Sequence, residues 1–113
     1  MKELYNITKD GATARIEEAT PNDSHKSFYG KAKIYHLTNG GRILESYATP
    51  VIYEAPTGEL WNLWGGWSAT TGRHIRAFCG KNKAEVEALP KAHAVYFHNE
   101  YGDLITERIE AEE

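Results

Sequence analysis

The chain is poor in the residues that carry covalent or metal chemistry. It has one cysteine, Cys79, in 113 residues. That excludes an intrachain disulfide and any metal site built from clustered thiolates. No apolar run approaches the ~20 residues that span a bilayer, and Met1-Lys2-Glu3-Leu4-Tyr5-Asn6 lacks the apolar stretch of a secretory leader. No membrane association is therefore expected, and the expected location is the cytoplasm. Basic charge is not in excess: the net charge is −3, which leaves no general electrostatic footprint for nucleic acid. A G-x-S-x-G elbow, a phosphate-loop lysine motif and a dinucleotide fingerprint are all missing. No internal repeat or low-complexity tract interrupts the chain.

Five histidines are present, but their spacing does not gather them. His93 and His98 are separated by an odd number in one alternating stretch, so a strand sends them to opposite faces. His25 falls in a polar loop, His36 ends a strand, and none has a second ligand three or four residues away. No metal and no cofactor are expected. Ser68, Thr70, Thr71 and Cys79 are the candidate nucleophiles with His74 as base. Ser68 lies six residues before His74 and Cys79 five after it, and neither spacing aligns a pair on a helix. Cys79 reads as a small buried hydrophobe. The expectation is a protein that is not an enzyme.

What is present is an ordinary globular composition, 41% hydrophobic and 26% charged, with 12% aromatic residues. One domain, 1–113, is the reading. Lys2 to Thr8 alternates weakly, Lys9-Asp10-Gly11 signals a turn, and Ala12 to Ile16 reads as the returning arm of a hairpin. Glu17 to Lys26, centred on Pro21-Asn22-Asp23-Ser24, reads as the longest loop. Ser27 to Leu37 alternates strongly. Asn39-Gly40-Gly41 turns the chain into Arg42 to Tyr53, with Ile43, Tyr47, Val51 and Tyr53 on one face and Pro50 marking a bulge or an edge. After Pro56-Thr57-Gly58, Glu59 to Trp64 is a short strand that ends at Gly65-Gly66.

A helix follows, with Ser68 as N-cap and Gly80 just past the end. Thr71, Ile75, Phe78 and Cys79 share one face, Thr70, Arg73 and Ala77 the other, and His74 the boundary. Asn82 and Glu85 form a capping pair for Lys83 to Leu89, which Pro90 stops. Ala92 to His98 and Leu104 to Ile109 read as a final hairpin, with Ala111-Glu112-Glu113 fraying. Strands, then helices, then strands imply an α+β fold: a curved antiparallel β-sheet, meander plus terminal hairpin, packed against one or two short helices through Ile75, Phe78, Val86 and Leu89.

Two features point to a partner surface. Tyr29, Tyr35, Tyr47, Tyr53, Trp61, Trp64 and Trp67 come from adjacent strands and the glycine corner. A sheet buried on one face leaves some of these outside, where aromatic rings supply contact area at small entropic cost. The plain alternative is that they pair across strands and stabilise the sheet. The second feature is the helix start, which carries Ser68, Thr70 and Arg73 with His74 beyond, and no carboxylate. Such a start either caps itself or holds an anion. The candidate binding set is Tyr29, Tyr47, Tyr53, Trp64, Trp67, Ser68, Thr70, Arg73 and His74. A protein partner ranks first, an anionic small ligand such as a phosphorylated nucleotide second, and nucleic acid third. A homodimer through an exposed edge strand is also open, since nothing obvious blocks the outer strands.

The runs Ser27-Phe28-Tyr29-Gly30-Lys31-Ala32, Ser46-Tyr47-Ala48-Thr49-Pro50-Val51 and Trp64-Gly65-Gly66-Trp67-Ser68-Ala69-Thr70-Thr71-Gly72-Arg73-His74-Ile75 resemble small uncharacterised proteins of phages and mobile elements. In that group a strand meander precedes a Ser-x-Thr-Thr-x-Arg-His-Ile helix. The resemblance spans Ser27 to Phe78. It implies a phage, prophage or plasmid setting and no activity. Small phage proteins of this size without catalytic residues often act by binding: some inhibit host defence nucleases, some sequester signalling nucleotides and some regulate transcription. By that analogy a host or phage protein is the expected partner, and inhibition of a host defence system, in the manner of an anti-CRISPR protein, the leading expectation.

Overall fold

The computed structural model of the protein describes residues 2–18 and 31–112, and the side chains of all of these except 13–18. Among the described residues the elements are β1 (Glu3–Asn6), α1 (Ile7–Asp10), β2 (Thr13–Glu18), β3 (Ala32–Leu37), β4 (Arg42–Ser46), β5 (Thr49–Glu54), β6 (Leu60–Asn62), α2 (Ala69–Cys79), α3 (Lys83–Glu87), β7 (Ala92–His98) and β8 (Leu104–Ala111). The fold is α+β. Two antiparallel sheets form, one of five strands in the order β2-β3-β4-β5-β6 and one of three in the order β1-β8-β7.

Three layers result. Tyr35, Leu37, Ile43, Tyr53 and Trp61 on one face of the five-stranded sheet meet Tyr5, Ala92, Ala94, Leu104, Ile109 and Ala111 of the smaller sheet. On the opposite face, Ala32, Ile34, Leu44, Val51 and Ile52 meet Ile75 and Phe78 of α2 and Val86 of α3. The larger sheet is therefore covered on both sides, which explains why β4 and β5 are buried on consecutive residues rather than on alternate ones. Arg42 holds the seam between sheet and helix. Its guanidinium makes a two-toothed bond to Glu54, at 2.8 and 3.0 Å, and lies 4.5 Å from the Phe78 ring centre.

The meander, the central helix and the terminal hairpin form as expected, and Ile75, Phe78 and Val86 bury as expected, with Leu89 partly buried. Four expectations are corrected. First, β1 does not pair with the segment after Gly11. It pairs with β8, while β2 pairs with β3, so the turn at Lys9-Asp10 passes the chain from one sheet to the other. Local turn chemistry signals a reversal but not which strand receives it. Second, Arg42 to Tyr53 is not one strand. Tyr47 and Ala48 form a two-residue hairpin turn between Ser46 and Thr49. A bulge follows, so that Val51 and Ile52 both face the helices and Val51 leaves the face of Ile43 and Tyr53. Pro50 lies beyond the reach of β6, which pairs only with 52–54, so its missing donor costs no ladder bond. Third, Ala111 does not fray. It pairs with Ala92, its N–H donates to the Lys2 carbonyl at 2.7 Å, and it is 6% exposed. Fourth, Glu17 and Glu18 belong to β2. The rest of the expected loop, including Pro21 to Ser24 and His25, and residues 27–30 of the expected strand, lie outside the described residues.

Among the described residues no helix is long and apolar enough to cross a membrane.

Leu44, wholly buried in the helix-side core, tests this layering. Leu44→Ala is expected to cost about 2–5 kcal/mol, by lost burial plus the cavity left behind. The measurement is the urea unfolding midpoint at unchanged slope.

Candidate functional site

The start of α2 is built as its sequence reads. Ser68 is the N-cap, and its hydroxyl accepts the Thr71 N–H at 3.1 Å. Gly80 closes the helix at φ 76°, its N–H donating to the Arg76 carbonyl. No carboxylate occupies the first turn. Thr70 is half-buried, Arg73 is exposed, and Cys79 is half-buried with its thiol pushed up by burial, the reverse of a reactive thiolate.

His74 is completely buried. Its Nδ1 lies 2.7 Å from Ser46 Oγ, and Ser46 Oγ lies 3.0 Å from Thr71 Oγ1. Ser46 is itself 2% exposed. The distance is that of a nucleophile and its base, but neither atom faces solvent. The arrangement therefore acts as a satisfied polar clasp between β4 and α2.

The residue before Ser46 does the same on the other face. Glu45, 5% exposed, reaches into the sheet–sheet layer. Its Oε2 is 2.7 Å from His98 Nε2 at the end of β7, and its Oε1 accepts the Tyr35 hydroxyl at 3.3 Å. The Leu104 N–H in turn donates to Tyr35 Oη at 3.1 Å. Burial pushes the Tyr35 phenol up to about 12. Successive residues at the end of β4 thus tie that end to α2 on one side and to β7 and β8 on the other.

Immediately beyond this double tie stands the Tyr47–Ala48 turn. Both residues have positive φ, 50° and 67°, where side chains other than glycine and asparagine are strained. Tyr47 is 47% exposed. Its ring centre lies 5.5 Å from that of His74, and Lys31 Nζ lies 5.8 Å from it. Tyr96, 40% exposed, packs edge-on against His98 at 6.0 Å. Exposed aromatic surface therefore gathers around one end of β4, with Tyr101, 80% exposed, in the turn just after β7.

The expected binding residues are only partly brought together. Tyr47, Ser68, Thr70, Arg73 and His74 share the junction of β4 and α2. His74 offers no surface, and Ser68's hydroxyl is engaged in capping. Tyr53 is wholly buried between the sheets, so it belongs to the core. Trp64 and Trp67 are half-buried against the helix-side core. Each lies over a glycine: a Cβ at Gly66 would meet the Trp64 ring at 2.7 Å, and one at Gly72 the Trp67 ring at 2.4 Å. Tyr29 lies outside the described residues. Ser46, Glu45, Tyr96 and His98 were not anticipated. The available signal was the pair Glu45-Ser46 straight after two apolar residues in a strand. A separate open groove of about 480 Å³ lies on the outer face of the smaller sheet, lined by Ile7, Phe97, Ile105, Glu107 and Arg108 among others. Among the described residues no group of three or more His, Cys, Asp or Glu side chains is placed to hold a metal ion.

The sequence model of a family of unknown function, DUF8033, matches residues 16–95, more than half of the chain. The chain belongs to that family. The DUF8033 match runs from within β2 to Val95 in β7. It takes in the five-stranded sheet, the Tyr47–Ala48 turn, α2 and α3, and leaves β1, β8 and His98 outside. No curated protein and no solved structure matches the chain.

Two measurements probe this junction. Tyr35 is neutral in the fold with its pKa raised above the ordinary 10.0. Its contribution to stability is full below pH 10 and is lost as pH rises through about 12. Unfolding free energy should fall over that range, and fall less steeply in Tyr35→Phe, by urea titration at stepped pH. Gly72→Ala should destabilise the protein, although alanine is the better helix former by ~1 kcal/mol, because the new methyl displaces Trp67. A lowered Tm with altered tryptophan fluorescence is the expected result.

Proposed function

We propose that the chain is a small non-enzymatic binding protein that engages another protein through the Tyr47–Ala48 turn and the adjoining start of α2. The observation that carries this reading is the turn itself. Asn-Gly would occupy both positive-φ positions at little cost. A tyrosine and an alanine hold them here, at a penalty on the order of 1 kcal/mol or more. The ring so presented is half exposed at the tip of a hairpin whose base is clamped from both faces by Glu45 and Ser46. A rigid, strained, exposed aromatic is the pattern of an anchor kept for contact rather than for stability. Exposed Lys31, whose ammonium lies 5.8 Å from the ring centre, and exposed Arg73, the α2 residue before His74, favour a partner surface with acidic groups. The resemblance to small phage and mobile-element proteins supports a host protein as that partner, and a defence complex as its class.

The experiment pairs stability with capture. The double variant Tyr47→Asn, Ala48→Gly should be more stable than the parent by about 1 kcal/mol, yet lose at least tenfold in retention of the partner that the parent recovers from host lysate. Equal retention by the two proteins would overturn the proposal. A nucleotide that raises the Tm of both equally would replace it with binding of an anion at the helix start.

A further inference from the structure

The two sheets end in four outer strands, and three of them carry ordinary protection against pairing with another chain. β6 is three residues long, and its Asn62 N–H is already bonded to the Pro90 carbonyl. β1 is four residues long and includes Glu3. β2 contains Arg15, Glu17 and Glu18. Short edges and charged edges are the usual devices against edge-to-edge association. β7 has neither. It runs seven residues, Ala92-His93-Ala94-Val95-Tyr96-Phe97-His98, with no Lys, Arg, Asp, Glu or Pro, in a chain of which 26% is charged. Among the described residues, two of the four exposed large hydrophobics, Tyr96 and Phe97, stand on it.

Its free hydrogen-bonding groups can be placed. The Lys91 carbonyl accepts from Glu112 and the Asn99 N–H donates to Asp103, so odd-numbered residues turn their backbone toward β8. The even-numbered ones, 92, 94, 96 and 98, turn theirs outward. Among the described residues β6 meets that side only at its start, where Asn62 bridges in parallel to Lys91 and its N–H donates to the Pro90 carbonyl, and no strand pairs with it from 94 to 98.

We propose that β7 is the seam through which two copies of this chain associate, antiparallel about a two-fold axis at Val95. In that register residue 94 bonds to residue 96 of the second copy on both sides of the axis, and the seam ends before residue 92, whose outward side Asn62 of the same chain already covers. On the inner face Ala94 meets Tyr96, a small side chain opposite a large ring, so the volume across the seam stays even. On the outer face His93 meets Phe97, an aromatic pair. Val95 meets itself, so the axis sets no charge against its like. This self-fit selects a second copy over a foreign strand. The seam is small beside the ~800 Å² a side of standard stable interfaces, so a dissociation constant in the micromolar range is expected. The proposal is independent of any partner at the Tyr47–Ala48 turn.

Sedimentation equilibrium of the full chain should show the 12.7 kDa monomer giving way to a dimer as concentration rises. Val95→Lys, which sets two ammonium groups face to face at the axis, should remain monomeric with an unchanged circular dichroism spectrum. In a Cys79→Ser background, Val95→Cys should form an intermolecular disulfide with oxidised glutathione, since directly opposed residues of a non-hydrogen-bonded pair sit about 4.5 Å apart. His93→Cys, opposite Phe97 rather than itself, should not. A monomer at every concentration, a dimer that survives Val95→Lys, or cross-linking of His93→Cys as strong as that of Val95→Cys would each overturn the proposal.

Discussion

The structure depends on one sheet being buried on both faces. Ile43 and Leu44 are adjacent in β4 and both wholly buried, the first under the small sheet and the second under the helices. Every other element is placed by which of these two faces it covers. α2 and α3 lie on the Leu44 side because their apolar residues recur at helical spacing. β1, β8 and β7 lie on the Ile43 side because Tyr5, Ala92, Ala94, Leu104, Ile109 and Ala111 point the same way, with a register shift at Glu107 bringing Leu104 onto the face of Ile109 and Ala111. Neither cover would hold by itself, since a three-stranded sheet with one open face and two short helices each need the meander to bury against.

Burial on both sides leaves a strand end with nowhere to put a polar side chain unless it is paired. The end of β4 has two such side chains in succession, and the fold satisfies each in its own layer. Glu45 takes Tyr35 and His98, and Ser46 takes His74 and Thr71. Buried polar groups of this kind specify geometry more than they add stability. Here the geometry they specify is that of the residue that follows. Tyr47 leaves a base clasped on both sides, enters a conformation it does not favour, and sets its half-exposed ring against His74.

Much of the architecture was legible in the residues. Ser68 and Gly80 bounded α2, Asn82 and Glu85 formed the capping box of α3, and alternation marked β3, β7 and β8. These are local signals, set within a few residues. What was not legible is non-local or is hidden by identity. The pairing of β1 with β8 depends on residues a hundred positions apart. The Tyr47–Ala48 turn carries none of the Asn or Gly that announces a two-residue hairpin, so no local signal breaks the strand there. The aromatic residues were counted correctly but not sorted. Tyr53 and Tyr35 went to the core, Trp64 and Trp67 settled over Gly66 and Gly72, and Tyr47 alone of the described candidate aromatics stayed outside to half its area. Only the packing of both faces tells which ring is left over. His74 had looked marginal because it lies at the edge of the helix's apolar arc. It is interior because Ser46, from a strand distant in sequence, meets it there.

The pairing of β1 with β8 also sets the order in which the molecule can be completed. The five-stranded meander joins neighbours in sequence and can close as each hairpin leaves the ribosome. Its Ile43 face cannot be fully covered until residues 104–111 have been made, and only then does β1 find its place. Throughout elongation Tyr5, Tyr35, Ile43 and Tyr53 are without their eventual cover. A nascent chain therefore carries this apolar face open to solvent and to other chains until β8 has emerged to retire it.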